Sequence, residues 1–276
     1  EMSDQLAEVR TQWDHLSGWL DQQMAYNCLS AALALQLAVG ARLGGRVLEV
    51  GCGTGQAAHL LLGCLDVSEE KAVEFTALDI SPKMAAISKQ RLADFGHVKD
   101  VVVGNAERLP FDDCSFDRLY SNLCLHLTPD ADEMLKESAR VLVPGGQAAF
   151  SIWGRPEQSR MMEILPEAMF EAGLIPKLPP QRQAYRLGRD LEALQRRAKA
   201  AGFSSCQTWR STMPCSQSPE SYCSDFCKAP TTAKMLEALS REKREEFSEV
   251  IKAKAQAAID AGIPIALEVV IIHATK

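Results

Sequence analysis

Short apolar runs alternate with amphipathic stretches through the first half of the chain. Apolar runs rich in β-branched residues predict five strands, at 46–50, 74–78, 100–103, 116–121 and 147–152. The stretches 56–65, 82–94 and 131–142 carry apolar side chains at three- and four-residue steps, a spacing that predicts helices. This alternation predicts a mostly parallel sheet with helices on both faces.

The N-terminal region contains helical patterns only. An apolar series at three- and four-residue steps from Leu6 to Leu20 indicates an amphipathic helix, and 27–39 is a more thoroughly apolar helical stretch. We therefore assign residues 1–42 to an N-terminal helical cover and residues 43–153 to a core.

The pattern changes after Trp153. Further elements are predicted as helices at 159–172 and 189–201, a strand at 206–213, a helical insertion at 218–261 and a final strand at 265–274. The last run is apolar at nearly every position, so we expect this strand inside the sheet. Within a single domain, residues 154–276 are assigned to a C-terminal half with lid helices at about 154–201 and 214–262.

The composition is that of a globular protein. Of 276 residues, 46% are hydrophobic and 24% are charged, and the formal net charge is −6. No apolar run approaches the length of a membrane span, and the acidic balance provides no basic field for a phosphate backbone. No secretory pattern is visible where the sequence starts. We predict no membrane insertion, no nucleic acid partner and a cytoplasmic location, and leave the oligomeric state open.

The nine cysteines are scattered and include no Cys-x-x-Cys pair. In a cytosolic protein they are expected to be reduced and mostly buried as small hydrophobic side chains. Cys223 and Cys227 share a helix face, but two thiols without further ligands do not define a metal site. We predict no metal.

Residues 47–56 read VLEVGCGTGQ, a strand end followed by three glycines at alternate positions. Such a turn brings bare backbone close to a ligand at a helix N-terminus. The dinucleotide fingerprint requires glycine or alanine at position 56, which is Gln56 here, and no P-loop Lys-Ser/Thr follows. Glu49 would repel a diphosphate and favour a ligand that presents an ammonium group. The loop therefore argues against a nicotinamide dinucleotide.

The same loop resembles motif I of class I S-adenosylmethionine-dependent methyltransferases. The resemblance continues through LDIS at 78–81, GNAERLPFDDCSFDRLYSNLCLHL at 104–127 and RVLVPGG at 140–146. It is strong over about Leu43 to Trp153 and is most similar to the small-molecule branch related to ubiquinone/menaquinone biosynthesis methyltransferases. It implies a Rossmann-like seven-stranded mixed sheet with the last strand antiparallel, helices on both faces and a helical lid.

The resemblance implies S-adenosylmethionine as the cofactor and S-adenosylhomocysteine as its product. The residues expected at the cofactor are Glu49, Gly51, Cys52, Gly53, Gly55, Asp79, Ile80, Met84, Asn105, Ala106, Glu107 and Asn122. Glu49 and the backbone of the glycine loop would meet the amino acid end, and Asp79 would accept from both ribose hydroxyls. Ile80 and Met84 would offer apolar surface to the adenine. Asn105 stands where the family commonly has an acid, and its amide oxygen can accept the same hydrogen bond from the adenine amine.

Methyl transfer is an in-line displacement at an activated sulfonium, so a base is needed only when the acceptor must lose a proton. Asn122, at the carboxyl end of the fourth strand, is expected beside the methionine moiety. His126 is the candidate general base, because its unperturbed pKa lies near neutrality. Packing or capping by His126 is the alternative, and Tyr185, His15 and Tyr222 are further candidate bases.

Aromatic side chains are expected to cover the cofactor and the acceptor. They are Trp13, Trp19, Tyr26, Trp153, Tyr185 and Tyr222. For the tryptophans of the first helix, packing of the apolar stripe on the sheet is the alternative interpretation. The many methionine and aromatic residues of the lid, with few convergent charges, predict a small organic acceptor.

The sequence therefore predicts an enzyme that transfers a methyl group from S-adenosylmethionine to an N, O, S or C nucleophile. Two other classes stay open. One is a catalytically silent scaffold that binds the cofactor, and the other is a nicotinamide-dependent oxidoreductase, against which Gln56 and Glu49 argue. An arsenic methyltransferase is a distant third, because the cysteines do not visibly form a trio of thiols.

Overall fold

The computed structural model describes residues 2–65, 73–214 and 218–276, except the side chains of 2–5 and 23–26. Within these residues the strands are β1 (Gly45–Val50), β2 (Val73–Asp79), β3 (Val98–Val103), β4 (Phe116–Asn122), β5 (Leu142–Trp153), β6 (Ser205–Pro214) and β7 (Ala266–Thr275). They form one seven-stranded sheet in the order β3-β2-β1-β4-β5-β7-β6. Strands β1 to β5 pair in parallel, whereas β7 is antiparallel to both of its neighbours. The predicted mixed sheet is confirmed, with the last strand antiparallel and inside the sheet.

Helices cover both faces of this sheet. They are α1 (Met2–Trp19), α2 (Leu29–Ala38), α3 (Gln56–Gly63), α4 (Pro82–Arg91), α5 (Ala131–Val141), α6 (Arg160–Glu171), α7 (Leu191–Ala200), α8 (Pro219–Cys227), α9 (Pro230–Glu237) and α10 (Arg241–Asp260). The predicted helical insertion is thus three successive helices. None of the helices within the described residues is long and apolar enough to span a bilayer.

The core consists of two hydrophobic clusters, one on each face of the sheet. Alternate residues of β7 belong to different clusters, as with Ile271 and Ile272. The first cluster includes Leu35 of α2 and Phe247 of α10, and the second includes Met134 of α5. Successive side chains of a strand point to opposite faces, so a strand buried on both faces must be apolar throughout.

Strand β5 starts earlier than the sequence predicts. Phe116 of β4 pairs with Leu142, and Arg118 pairs with Gln147. Between these two pairs the chain advances by five residues in β5 and by only two in β4. The Pro144-Gly145-Gly146 turn lies inside this jump, and Gly145 has φ of 79°. Residues 143–146, which the sequence places before the strand, are therefore an irregular first part of β5.

Local signals fix where the helices begin near the carboxyl ends of the strands. At α4, Ser81 Oγ accepts from the backbone N–H of Met84 at 3.1 Å, and Pro82 occupies the first turn. At α5, Asp130 accepts from the backbone N–H of Asp132 at 3.0 Å. The carboxyl ends of β1, β2 and β4 lie side by side in the sheet, which is where open α/β folds place ligands.

Candidate cofactor and acceptor site

A cavity of about 500 Å³ lies at the carboxyl ends of β1, β2 and β4. Helix α1 and the C-terminal half of the chain enclose it. The predicted site residues that line it are Trp13, Trp19, Glu49, Gly51, Cys52, Gly53, Asp79, Ile80, Met84, Asn105, Ala106, Asn122 and Trp153. The predicted residues outside its lining are Gly55, Glu107, His126, Tyr185 and Tyr222, and the side chain of Tyr26 is outside the described residues.

The glycine loop is shaped by backbone conformation and by close packing. Gly51, Gly53 and Gly55 have φ of 74°, 54° and 79°, a region that favours glycine. A Cβ at Gly51 would lie 2.7 Å from the Cys124 sulfur, and one at Gly55 would lie 2.5 Å from Ser88 Oγ. A Cβ at Gly53 would meet no atom of the described residues within 4 Å. Two of the glycines therefore allow the loop to pack against the protein, and Gly53 faces the open side.

The backbone N–H groups of this loop are already hydrogen-bonded within the protein. Those of Gly51 and Cys52 donate to the carbonyl of Leu78 at 2.7 and 3.0 Å. That of Gly53 donates to Asp79 Oδ2 at 2.8 Å, and that of Gly55 donates to the Cys52 carbonyl at 3.0 Å. The expectation that these groups serve as free donors to a ligand is therefore not supported. The first three close the loop onto β2, and that of Gly55 closes a turn within the loop.

Glu49 is a buried carboxyl group with one oxygen left without a partner. Glu49 is 1% exposed and shares a hydrogen bond with the Tyr120 hydroxyl, and its Oε2 has no hydrogen-bond partner among the described residues. Burial, reinforced by the nearby charge of Asp79, raises the pKa of Glu49 to about 8. An unpaired acceptor at the wall of a cavity favours a ligand with a cationic donor.

Gln36 of α2 holds this arrangement from behind. Its side-chain amide donates to the Ala57 carbonyl at 2.8 Å and contacts the Tyr120 hydroxyl at 3.3 Å. Gln36 and Tyr120 are both buried. Together they fix the orientation of the Glu49 carboxyl group.

Asp79 ends β2 and is buried at the cavity wall. Its Oδ2 accepts from the N–H of Gly53, and its Oδ1 accepts from the N–H of Ser81 at 2.9 Å. Burial raises the pKa of Asp79, whereas these backbone donors act in the opposite direction. Each carboxylate oxygen keeps a second lone pair, so both can still accept from a diol.

The residues after β3 divide between the cavity and the protein. Asn105 and Ala106 line the cavity, and Asn105 Oδ1 also accepts from the backbone N–H of Glu107 at 3.0 Å. Glu107 points elsewhere, since its Oε1 accepts from the backbone N–H of Asp130 at 2.7 Å. Glu107 therefore caps the region where α5 begins, and its predicted contact with the cofactor is not supported.

The end of β4 is fixed by a small hydrogen-bond network. Asn122 Nδ2 donates to the Cys28 carbonyl at 3.2 Å, and its Oδ1 accepts from Ser151 Oγ at 2.6 Å. The next residue, Leu123, has φ of 53° and donates its backbone N–H to Ser151 Oγ at 2.8 Å. A leucine in this region of φ is strained, and the surrounding contacts must hold it there. Asn122 and Leu123 both line the cavity.

His126 does not reach the cavity. Its ring is buried beside Trp153, with 5.5 Å between the ring centroids, and in the part of the chain that the structure describes neither ring nitrogen has a hydrogen-bond partner. Burial lowers the pKa of His126 to about 3. The structure therefore does not support His126 as the general base and favours the packing alternative. His15 is exposed and also outside the lining.

The predicted aromatic cover separates into two layers. Trp13, Trp19 and Trp153 line the cavity, and the indole N–H of Trp19 donates to the Asp225 carbonyl at 3.4 Å. Two tyrosines lie behind them. Tyr185 packs on Trp153 with 5.0 Å between ring centroids, and the Tyr222 hydroxyl donates to the Met161 carbonyl at 2.7 Å. Both tyrosines lie outside the cavity lining, so neither is placed to act as a base, and burial also raises the pKa of Tyr185.

Three cysteines, Cys28, Cys52 and Cys124, line the same cavity. Burial raises the pKa of Cys124 to about 12 and raises that of Cys52 as well, which keeps both thiols neutral. Over the described ranges, no group of three or more His, Cys, Asp or Glu side chains is arranged to hold a metal ion.

Comparison with known proteins shows which family the residues around this cavity resemble. Residues 48–150 match the family model described as a methyltransferase domain. The ubiquinone/menaquinone biosynthesis C-methyltransferase of Vibrio vulnificus is 32% identical over 177 residues, which are 59% of this chain and 66% of that protein. Over these residues the chain carries a methyltransferase domain of the class I S-adenosylmethionine-dependent type. It spans just under two thirds of the length of that relative.

Solved structures agree on the fold of this methyltransferase family. The phosphoethanolamine N-methyltransferase 2 of Haemonchus contortus aligns with a TM-score of 0.55 at 20% identity, covering 90% of this chain and 52% of that one. The [4+2]-cyclase SpnF aligns with a TM-score of 0.56 at 20% identity, covering 97% and 95%. At this level of identity both show the fold alone.

The residues of this methyltransferase fit the cofactor of its family, S-adenosylmethionine. The unpaired Glu49 oxygen is an acceptor for an ammonium group, and Asp79 keeps acceptor capacity for two hydroxyls. The open space at Gly53 lies between them along the loop. These are the residues that would hold the amino acid and ribose parts.

Two features of the site escape the sequence analysis. Gln56 Nε2 donates to the Asp21 carbonyl at 3.0 Å and so ties the glycine loop to the segment after α1. Arg182 lines the cavity from the lid side. The residue at position 56 is conspicuous in the motif, but its contact involves a segment 35 positions away, which no local pattern reveals. Arg182 lies in a segment without a motif.

Proposed function

We propose that this protein transfers a methyl group from S-adenosylmethionine to a small, largely apolar organic acceptor. The proposal rests on the way in which polar and apolar side chains are distributed around one continuous cavity. Glu49 and Asp79 lie at the strand ends, and the C-terminal half contributes mainly methionine, leucine, phenylalanine and proline side chains. One end is suited to the cofactor and the other to an apolar molecule.

When bound, the cofactor supplies an activated methyl group, and the products are the methylated acceptor and S-adenosylhomocysteine. The chain contributes binding, alignment and exclusion of water. Glu49 accepts from the ammonium group, Asp79 accepts from the ribose, and the network of Asn122 with Ser151 holds the strand end between the two halves of the cavity. Trp13, with its helix α1, covers the cavity. Desolvation and alignment are the main needs of such a displacement.

The acceptor is one that needs no basic side chain to remove its proton. Among the described lining residues, the acidic and basic side chains are Glu49, Asp79 and Arg182, and histidine and lysine do not occur. The two carboxyl groups lie at the cofactor end, and Arg182 is not a base. This favours acceptors that are nucleophilic as bound or that lose a proton to water.

Calorimetric titration with S-adenosylhomocysteine and with NADH tests the cofactor half. We expect tight binding of S-adenosylhomocysteine and no binding of NADH. Asp79→Asn should strongly weaken the binding of S-adenosylhomocysteine, because Asp79 both accepts from the ligand and holds Gly53. A matched control is Asp94→Asn, a change outside the cavity lining. Binding of NADH without binding of S-adenosylhomocysteine would refute the proposal.

Release of S-adenosylhomocysteine in the presence of amines, phenols, carboxylates, thiols and quinols tests the transferase half. Product formation with at least one apolar acceptor is the expected result. Tight cofactor binding with no turnover on any acceptor class would indicate the silent cofactor-binding scaffold instead. The first titration and this assay therefore separate the two remaining classes.

A further inference from the structure

The lining of the cavity includes charged side chains of both signs. Among the described residues that line it, the formally charged ones are Glu49, Asp79 and Arg182. The two carboxyl groups lie at the ends of β1 and β2, whereas Arg182 lies in the segment between α6 and α7. Arg182 is therefore the cation of the acceptor side.

The guanidinium of Arg182 is available to a ligand. Over residues 2–65, 73–214 and 218–276, no hydrogen bond or ion pair engages this side chain, which is exposed at the cavity wall. A neighbouring arginine behaves differently. Arg160 of α6 binds both carboxylate oxygens of Glu167, at 2.7 and 2.9 Å.

The backbone of Arg182 is held, although its side chain is not. Its carbonyl accepts from the backbone N–H of Tyr185 at 3.2 Å, and Tyr185 is 1% exposed and packs on the cavity residue Trp153. The guanidinium thus extends from an anchored point beside the acceptor half. A guanidinium whose backbone is fixed and whose planar N–H donors are not engaged is suited to binding an anion.

The surroundings of Arg182 define the rest of the ligand. The lining residues contributed by the lid helices are mainly apolar, and include Met161, Met162, Leu165 and Phe226. A ligand that fills this half must therefore combine an apolar body with an anionic group at its outer end.

We propose that Arg182 binds the carboxylate of an apolar methyl acceptor. The inference rests on the proposed function and specifies its acceptor class. A carboxylate is favoured over a phosphate because a single arginine supplies one charge and one planar fork, and no second cation occurs among the described lining residues. The carboxylate holds the far end of the acceptor, so the nucleophilic atom lies on its cofactor side.

The test uses two ligands of the same shape and different charge. 2-Naphthoate and 2-naphthalenemethanol share their ring system, and each is titrated calorimetrically into the protein saturated with S-adenosylhomocysteine. The wild type should bind the naphthoate more tightly, and Arg182→Gln should weaken that binding by about tenfold, as expected for the loss of a charge-assisted hydrogen bond. Binding of the alcohol should change less than about twofold.

Arg186→Gln is the matched control, because Arg186 is exposed in the same segment and outside the cavity lining. It should leave both affinities unchanged. Arg182→Lys should retain part of the preference, since it keeps the charge and loses the fork. A wild type that does not prefer the naphthoate, or a preference that survives Arg182→Gln, would overturn the inference.

The affinity for S-adenosylhomocysteine is measured separately on the same variants. If Arg182→Gln weakens that binding and leaves the naphthoate preference intact, the guanidinium serves the cofactor carboxylate and the inference is wrong. If the wild type does not bind S-adenosylhomocysteine at all, the proposed function fails, and the naphthoate titration without it still reports on Arg182. The two failures are therefore distinguishable.

Discussion

The side chain of Gln56 fastens the N-terminal cover to the glycine loop by donating to the Asp21 carbonyl at 3.0 Å. Arg91 of α4 strengthens this contact, because its guanidinium pairs with the Asp21 carboxylate at 2.9 Å and donates to the Thr54 carbonyl. Within α1 itself, Asp14 accepts from Ser81 Oγ at the start of α4. The cover is thus bound to the loop and helix that form the cofactor end of the cavity.

Gln56→Ala should loosen the cover without altering the loop itself. The variant loses a hydrogen bond of about 1 kcal/mol and a longer contact with the Asp21 carboxylate at 3.4 Å, which predicts at least about fivefold faster dissociation of S-adenosylhomocysteine, measured by stopped-flow tryptophan fluorescence. Gln90→Ala, at an exposed position of α4, is the control and should have no effect. Equal dissociation rates for the wild type and Gln56→Ala would show that the contact does not retain the cofactor.

The protonation of Glu49 should link cofactor binding to pH. Its pKa is raised to about 8 by burial, from an ordinary value of 4.5. A cationic ligand favours the ionised form, so binding at pH 7 should release a proton, and the affinity should rise as the pH approaches 8. Calorimetry in buffers of different ionisation enthalpy measures this release. Glu49→Gln should abolish it, and a proton release unchanged by Glu49→Gln would contradict the assignment.

The same group sets a stability trend for the ligand-free protein. Because the folded state holds the proton more tightly, the free energy of unfolding should fall as the pH rises from about 4.5 to about 8. Below that window both states are protonated, and above it both are ionised, so the contribution levels off. Glu49→Gln should flatten this slope in chemical denaturation. If the free energy of unfolding changes with pH in the same way in the wild type and in Glu49→Gln, Glu49 is not the source of this pH dependence.

The sequence predicts the fold well because the signals of the fold are local. Strand runs, caps such as Ser81 with Pro82, and the glycine spacing each involve neighbouring residues, and they place the ends of β1, β2 and β4 correctly. The site is predicted less completely. Whether Glu107 or His126 reaches the cavity depends on contacts with distant elements, such as Asp130 and Trp153. No periodicity in the sequence encodes those contacts.

His126→Leu separates a packing role from a catalytic one. Both ring nitrogens are buried without partners within the described ranges, so an apolar side chain should raise the free energy of unfolding by about 1 kcal/mol and leave turnover within about twofold. Because the pKa of His126 is lowered to about 3 from 6.5, the wild type should also lose stability as the pH falls below 6.5, and the variant should lose less. A large loss of turnover with unchanged stability would restore His126 as a base.

Gly188 should be the glycine of the acceptor side least tolerant of a side chain. A Cβ there would lie 1.9 Å from the carbonyl oxygen of Trp153, whose indole lines the cavity, and the atoms it would meet belong to backbone. Gly188→Ala must therefore displace either the lid segment or the end of β5, at a cost of about 3 kcal/mol. Gly63→Ala is the control, because its Cβ, at the end of α3, would meet nothing within 4 Å among the residues that the structure describes. Thermal unfolding should show a clear loss for the first variant only, accompanied by weaker binding of 2-naphthoate. An unaltered melting temperature for Gly188→Ala would mean that the lid segment does not rest on Trp153.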